Sequence, residues 1–330
     1  MKSLLDQLYA RHPLSRQTAY DTLLRIANGE AAEPEIAAVV SAINMRPAYL
    51  SEIQGFRDAM LDLAVPLDLQ GRETIDIVGT GGDGKNTFNV STLSCVVVAG
   101  AGYAVTKHGS YGVSSSVGSS DVMTALGYTF TNEQDRLLAQ LDRCGICFLH
   151  APLFHPAMKN VVPVRRSLRV RTFFNLLGPL INPARPTHQL FGTYSREVSR
   201  IYDYLLQDEE RRHYRIVHAL DGYDEISLTG GASMRDRRCQ GILLPADFGL
   251  PQVDPVDLYG GETPEEGKAI FLGVLNGEAT DAQTDVVCAN AGLAIQVIHP
   301  GRSLTDCVAE ARESLESGRA RGVLRKLLTD

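Results

Sequence analysis

The strongest constraint on what this chain can fold into is a change of texture near Pro66. Residues before about position 70 read as helices only. Ser15 can cap a helix running through Ala27 and ending near Gly29, Pro34 suits the first turn of the next, and Ala48 to Leu63 carries apolar residues at helical spacing. After Pro66 strand and helix alternate. Thr74–Val78 reads as a strand, Leu93–Ala99 as a helix and Ala104–Thr106 as a strand, with further strands at 146–149, 189–191, 215–217 and 239–243. Helices fill the gaps at 198–206, 264–275, 280–295 and 303–328. Such alternation implies a largely parallel sheet covered by helices, so the fold class is α/β with a small α-helical domain in front. The basic, apolar stretch from Pro156 to Pro183 fits no strand-helix unit. We expect it to return to the N-terminal helices, giving a helical domain of 1–70 completed by about 158–188 and an α/β domain of 71–157 with 189–330.

Composition narrows the partners. The 330 residues are 44% hydrophobic and 22% charged, which suits a folded chain with a large core. The net charge of -7 gives no broad attraction for a phosphate backbone or an anionic membrane, so neither nucleic acid nor membrane is an expected partner. Six cysteines spread through the chain, and the charge at Lys2 and Asp6 in place of a leader peptide, point to reduced thiols and a cytoplasmic location. Cys144 and Cys147 have the spacing of half a zinc or redox motif, but no second pair accompanies them. They read as small buried residues.

Four segments carry chemistry. The first runs from Val78 to Thr92, leaving a strand and opening a helix. Its glycines let backbone N–H groups approach an anion, and Asn89, Ser91 and Thr92 can donate near a helix N-terminus. Gly79, Gly84 and Lys85 nearly match a nucleoside-triphosphatase loop, yet Asn86 stands where that motif needs Ser or Thr. The second segment, Lys107 to Asp121, combines a cation, glycines and six serines on another strand-to-helix loop. Both loops lie at carboxyl ends of strands, where open α/β sheets bind ligands. The third is Asp224-Glu225. Adjacent acids are common on solvated loops, but here they follow a strand and face two anion loops, which suits magnesium. In the fourth, Arg165, Arg166, Arg169 and Arg171 stand beside apolar and aromatic residues; an arginine there could grip a carboxylate with two prongs.

Together these segments resemble the anthranilate phosphoribosyltransferase family, of the nucleoside-phosphorylase-like class, over nearly the whole chain. The motifs that carry the resemblance are Gly79–Gly84 with Asn89–Thr92, Lys107–Gly109 with Val113–Ser115, His155–Lys159, Arg171–Pro183 and Asp224–Ser227. The resemblance implies a homodimer formed by the helical domain, a reaction at the hinge between domains, and transfer of phosphoribose from phosphoribosyl pyrophosphate to anthranilate. By matching position it implies that Gly79, Gly82, Asp83, Thr87, Asn89, Val90, Ser91, Thr92, Lys107, Ser115 and Ser119 hold the phosphoribosyl substrate. Ser91, Asp224 and Glu225 would contact magnesium, with Lys107, Asp224 and Glu225 forming the catalytic set. Gly79, His108, Ser110 and Arg165 would face anthranilate. Ser110 departs from the family's Asn, and Tyr111 from its usual Arg. Two other readings stay open: a pyrimidine nucleoside phosphorylase on the same fold, which needs no magnesium-pyrophosphate clamp, and a catalytically silent relative that binds nucleic acid.

Overall fold

The computed structural model describes residues 1–112, 117–209 and 212–329. Four helices come first: α1 (Lys2–Tyr9), α2 (Arg16–Ala27), α3 (Glu33–Asn44) and α4 (Leu50–Asp62). Then follow β1 (Ile75–Gly79), α5 (Val90–Gly100), β2 (Val105–Gly109), α6 (Ser119–Ala125), α7 (Gln134–Cys144) and β3 (Ile146–His150). Two short helices, α8 (Ala151–Phe154) and α9 (Val162–Leu168), precede β4 (His188–Gly192), α10 (Arg196–Leu206), β5 (His213–Ala219), β6 (Ala232–Arg235) and β7 (Gln240–Leu243). The chain closes with α11 (Pro264–Asn276), α12 (Asp281–Ile298), α13 (Leu304–Glu316) and α14 (Arg319–Leu328). None of the described helices is long and apolar enough to cross a membrane.

Two compact units result, one of residues 1–67 with 151–185 and the other of 68–150 with 186–330. In the helical unit α2 packs on α4 and α3 on α9. Ser15 caps α2 by accepting from Thr18 N at 3.1 Å, a bond that stabilises by about 1 kcal/mol relative to alanine. The returning segment is tied to this bundle through side chains. Asn160 Nδ2 donates to the last carbonyls of α2, and Asn44 on α3 holds both Arg171 O and Phe173 N.

The α/β unit is built on a seven-stranded sheet of order β3-β2-β1-β4-β5-β6-β7. The first five strands in that order are parallel, and β6 and β7 add antiparallel pairs. The central strands are buried on both faces, as helices on either side require. Helix α5 is nearly all apolar because it lies inside the unit, covered by α12 and α14. Five of the six cysteines are buried; Cys239, in the β6–β7 turn, is the exposed one. Burial pushes the Cys95 thiol up to about 12, and Cys147 higher still, as inert core residues.

Three sequence expectations need correction. The single helix over 303–328 is two, because Gly318 adopts a left-handed φ of 75° and turns the chain between α13 and α14. Strand β6 has no counterpart in the sequence reading: its Ala-Ser-Met-Arg carries few β-formers and alternates in burial instead of running apolar. Helix α5 begins three residues earlier than read, at Val90, which places Ser91 and Thr92 inside its first turn.

Candidate active site

The site in the α/β unit is built where β1 ends. After Gly79 the backbone turns through three glycines at positive φ, Gly81, Gly82 and Gly84, a course that side chains with a Cβ rarely follow. The turn leads to Asn89, the N-cap of α5, whose own side chain does not cap the first N–H groups of the helix. Those N–H groups and the helix dipole favour an anion. Asn89 Nδ2 donates to Val117 O at 3.2 Å, while its buried Oδ1 has no hydrogen-bond partner among the described residues.

The adjacent acids are buried, unlike most acid pairs on solvated loops. Asp224 is 9% and Glu225 7% exposed. Asp224 Oδ2 accepts from Gly81 N at 2.6 Å, and a Cβ on Gly79 would run into that same carboxylate oxygen. A Cβ on Gly192, at the end of β4, would run into Asp224 O. Two strand-end glycines thus make the space that Asp224 occupies. Asp83, from the β1 loop, accepts from Lys85 N at 3.0 Å with one oxygen, while Oδ2 has no hydrogen-bond partner among the described residues. Glu225 bonds Thr87 and leaves Oε1 buried, with no hydrogen-bond partner among the described residues.

These three carboxyls interact strongly. Burial, then the charge of Asp83, pushes Asp224 up to about 7. Burial and both neighbouring acids push Glu225 well above the usual carboxylate range, and burial raises Asp83. Buried acids that repel one another and keep free oxygens are short of positive charge. Lys107 supplies part of it: its Nζ, itself buried, donates to Ile77 O at 2.9 Å and His108 O at 3.1 Å and lies close enough to Asp224 to favour its charged form. The donor set suits a hard dication with oxygen ligands. Among the described residues no three His, Cys, Asp or Glu side chains form a complete cage. That matches an ion which takes one or two carboxylates and fills its shell with water and phosphate oxygens.

The second loop is held at its neck. Ser110 O accepts from Ser120 N at 3.1 Å and from Ser119 Oγ at 3.2 Å, and Asp121 Oδ2 accepts from both Gly112 N and Gly118 N. Ser110 is exposed and His108 buried, with His108 N donating to Asp76. Tyr111 packs edge-on against His150 at 4.9 Å. Ser115 and the Val113–Ser115 motif lie outside the described residues.

Arg165 belongs to the helical unit. Its Nη2 donates to Asn175 Oδ1 at 3.3 Å, its guanidinium lies 5.7 Å from the Phe174 ring centroid, and burial lowers its pKa. No carboxylate among the described residues pairs with it. The structure therefore brings Gly79, Asp83, Thr87, Lys107, Asp224 and Glu225 together, sets Ser110 and Ser119 on the second loop, and places Arg165 on the other unit. Gly192 was missed by the sequence reading; a glycine ending a strand in the middle of the sheet was the available signal.

Two family models cover the chain: the helical bundle domain of a glycosyl transferase family over residues 2–64, and its a/b domain over residues 71–321. An anthranilate phosphoribosyltransferase of Cytophaga hutchinsonii is 51% identical over 326 residues, covering 99% of both chains. The chain belongs to the anthranilate phosphoribosyltransferase family. Another member, from Bacteroides thetaiotaomicron, is 46% identical, with 99% of this chain and 98% of its own covered. Among solved structures, the family's enzyme from Thermus thermophilus superposes with a TM-score of 0.90 at 35% identity, covering 98% of both chains. The Saccharomyces cerevisiae anthranilate phosphoribosyltransferase, solved in complex with PRPP and Mg, has a TM-score of 0.90 at 27% identity, covering 99% of this chain and 96% of its own.

Proposed function

We propose that this chain transfers the phosphoribosyl group of phosphoribosyl pyrophosphate to the amine of anthranilate, giving N-(5-phosphoribosyl)anthranilate and pyrophosphate in tryptophan biosynthesis. The observation that carries the reading is the meeting of a glycine-turned anion loop with three buried, charge-deficient carboxyls, in a chain that matches family members end to end.

The cofactor is Mg2+, held by Asp224 and Glu225 with Ser91, whose α5 position opens onto the same loop. The free Glu225 Oε1 and Asp83 Oδ2 support that fit. Bound there, Mg2+ supplies positive charge to the pyrophosphate as a leaving group. The chain's own residues do the rest. N–H groups of the Gly79–Gly84 turn and of the first turn of α5, with Asn89, Val90, Ser91 and Thr92, bind the phosphates. Asp83, a like charge among phosphates, faces the ion or a ribose hydroxyl. Lys107 favours the ionised form of Asp224. Fixed dipoles stand where negative charge grows as the bond from ribose C1 to pyrophosphate stretches, which is where preorganisation lowers a barrier most. Arg165, desolvated and without a carboxylate of its own, binds the carboxylate of anthranilate, with Gly79, His108 and Ser110 as further contacts. Ser115 and Ser119 complete the phosphate contacts.

No side-chain base is needed, because an aromatic amine has a free lone pair at neutral pH. His155 is unsuited to that role, since burial pushes it down to about 4. The protein is cytoplasmic, and it works as a homodimer through the helical unit, whose exposed Tyr9, Met45 and Tyr49 offer apolar surface. A nucleoside phosphorylase would have no use for the carboxyl cluster. The test compares pyrophosphate release from phosphoribosyl pyrophosphate with anthranilate, with thymidine and with buffer. Release with anthranilate alone is expected; release that does not depend on anthranilate would overturn the reading.

A further inference from the structure

Within the run Val286–Ile295 of α12, Asn290 is the single side chain bearing a charge or an amide, and it is 3% exposed. All its hydrogen-bonding capacity toward protein is directed. Oδ1 accepts from Ile226 N at 3.0 Å, while Nδ2 donates to Ile226 O at 2.8 Å and to Val286 O at 2.8 Å. Both amide hydrogens are used, so the amide cannot turn over without facing donor to donor. One side chain thus holds both peptide groups of Ile226, as a neighbouring strand would.

Ile226 follows directly on the two acids. Upstream, Asp224 is fixed by Gly81 N and by its close packing on Gly192. Downstream, Asn290 fixes Ile226. Glu225 lies between these anchors, buried with an unpartnered oxygen and repelled by Asp224 and Asp83. Left free, the segment would relieve that repulsion by turning Glu225 toward water.

We infer that Asn290 is a positioning residue that holds Asp224 and Glu225 in the geometry for a divalent cation, setting cation affinity through the Ile226 backbone. This rests on the reading of those acids given above. Supporting residues of this kind typically contribute 10–100-fold to metal affinity.

The test is Mn2+ binding by electron paramagnetic resonance, in the presence of saturating pyrophosphate, with anthranilate KM measured alongside. Asn290→Ala is expected to weaken Mn2+ by about 10–100-fold with anthranilate KM unchanged. Val287→Ala, which removes buried volume from the same helix and leaves the Asn290–Ile226 hydrogen bonds in place, is expected to lower thermal stability and leave Mn2+ affinity as it was. If Asn290→Ala does not fold, Asn290→Asp takes its place; it keeps the shape and the Ile226 N–H acceptor but loses both donations, and a weakening in the same direction is expected. Unchanged Mn2+ affinity in a folded Asn290 variant, or an equal loss in Val287→Ala, would overturn the inference alone. A wild-type protein that binds no Mn2+ with pyrophosphate would overturn the assignment of the acids as well.

Discussion

Gly79 and Asp224 share one space: a methyl group on the glycine would fall on the carboxylate Oδ2. The obstacle is the end of a side chain, so Gly79→Ala can fold by turning Asp224 aside. The turn displaces an acid from the cation site. We expect at least a tenfold loss in kcat/KM for phosphoribosyl pyrophosphate, with thermal stability near wild type. Gly241→Ala, in open space on β7, serves as the control and should retain activity.

The carboxyl cluster makes activity and stability oppose each other. A folded-state pKa raised above the unfolded value means that stability is lost as pH rises through the folded pKa, so Asp224 and Glu225 weaken the fold at neutral pH when no cation is bound. Replacing both, Asp224→Asn with Glu225→Gln, should abolish turnover and raise Tm by at least about 2 °C in the absence of divalent cations. Calorimetry of the two proteins with chelator present decides it; a lower Tm in the variant would sink the argument.

Arg165 is held by Asn175 and backed by Phe174. Lysine keeps the charge but loses the planar fork. Arg165→Lys should raise the KM for anthranilate much more than that for phosphoribosyl pyrophosphate, and an equal rise for both would indicate a structural role.

At Ser110 the carbonyl, not the hydroxyl, makes the loop's internal bonds, and the side chain is exposed. Substitution there should leave the loop intact. A neutral hydrogen bond contributes about 0.5–1.5 kcal/mol, so Ser110→Asn is expected to improve use of anthranilate by up to about tenfold while barely changing affinity for the sugar substrate. Steady-state kinetics showing no gain would mean that the side chain at 110 does not reach anthranilate.

His155 gives the helical unit an acid-side sensitivity. Burial, only partly offset by the backbone of Met60 and Ile181, brings it to about 4. The unfolded residue takes up a proton near 6.5, so between those values the unfolded chain binds more protons and stability falls as pH drops. The full window corresponds to roughly 3 kcal/mol. Urea titrations between about pH 7 and about pH 4 should show a shallower loss in His155→Gln than in wild type.

Much of this was legible in the order of residues alone. Elements announced by their own chemistry, such as α2 with its Ser15 cap and the buried strands β1, β3 and β4, stand within a few residues of where spacing puts them. Strand β6 was not legible, because it owes its existence to pairing with β5 and β7 rather than to its own residues. In the site, the glycine turn and the acid pair were visible as local patterns. Their setting was not, since Asp224 packs on Gly192 and the next residue, Ile226, is held by Asn290, both distant in sequence from the acids. Asn290 reads in sequence only as a polar interruption of an apolar helix.

The distribution of thiols has a practical corollary. With five cysteines sealed in the core, Cys239 is a ready attachment point for a fluorophore or spin label in the unmodified chain. Desolvation, then its bond to Asp236, raises the thiol, so a maleimide should couple faster on the alkaline side of neutrality. A reporter placed this way would follow the β6–β7 turn without a single engineered residue.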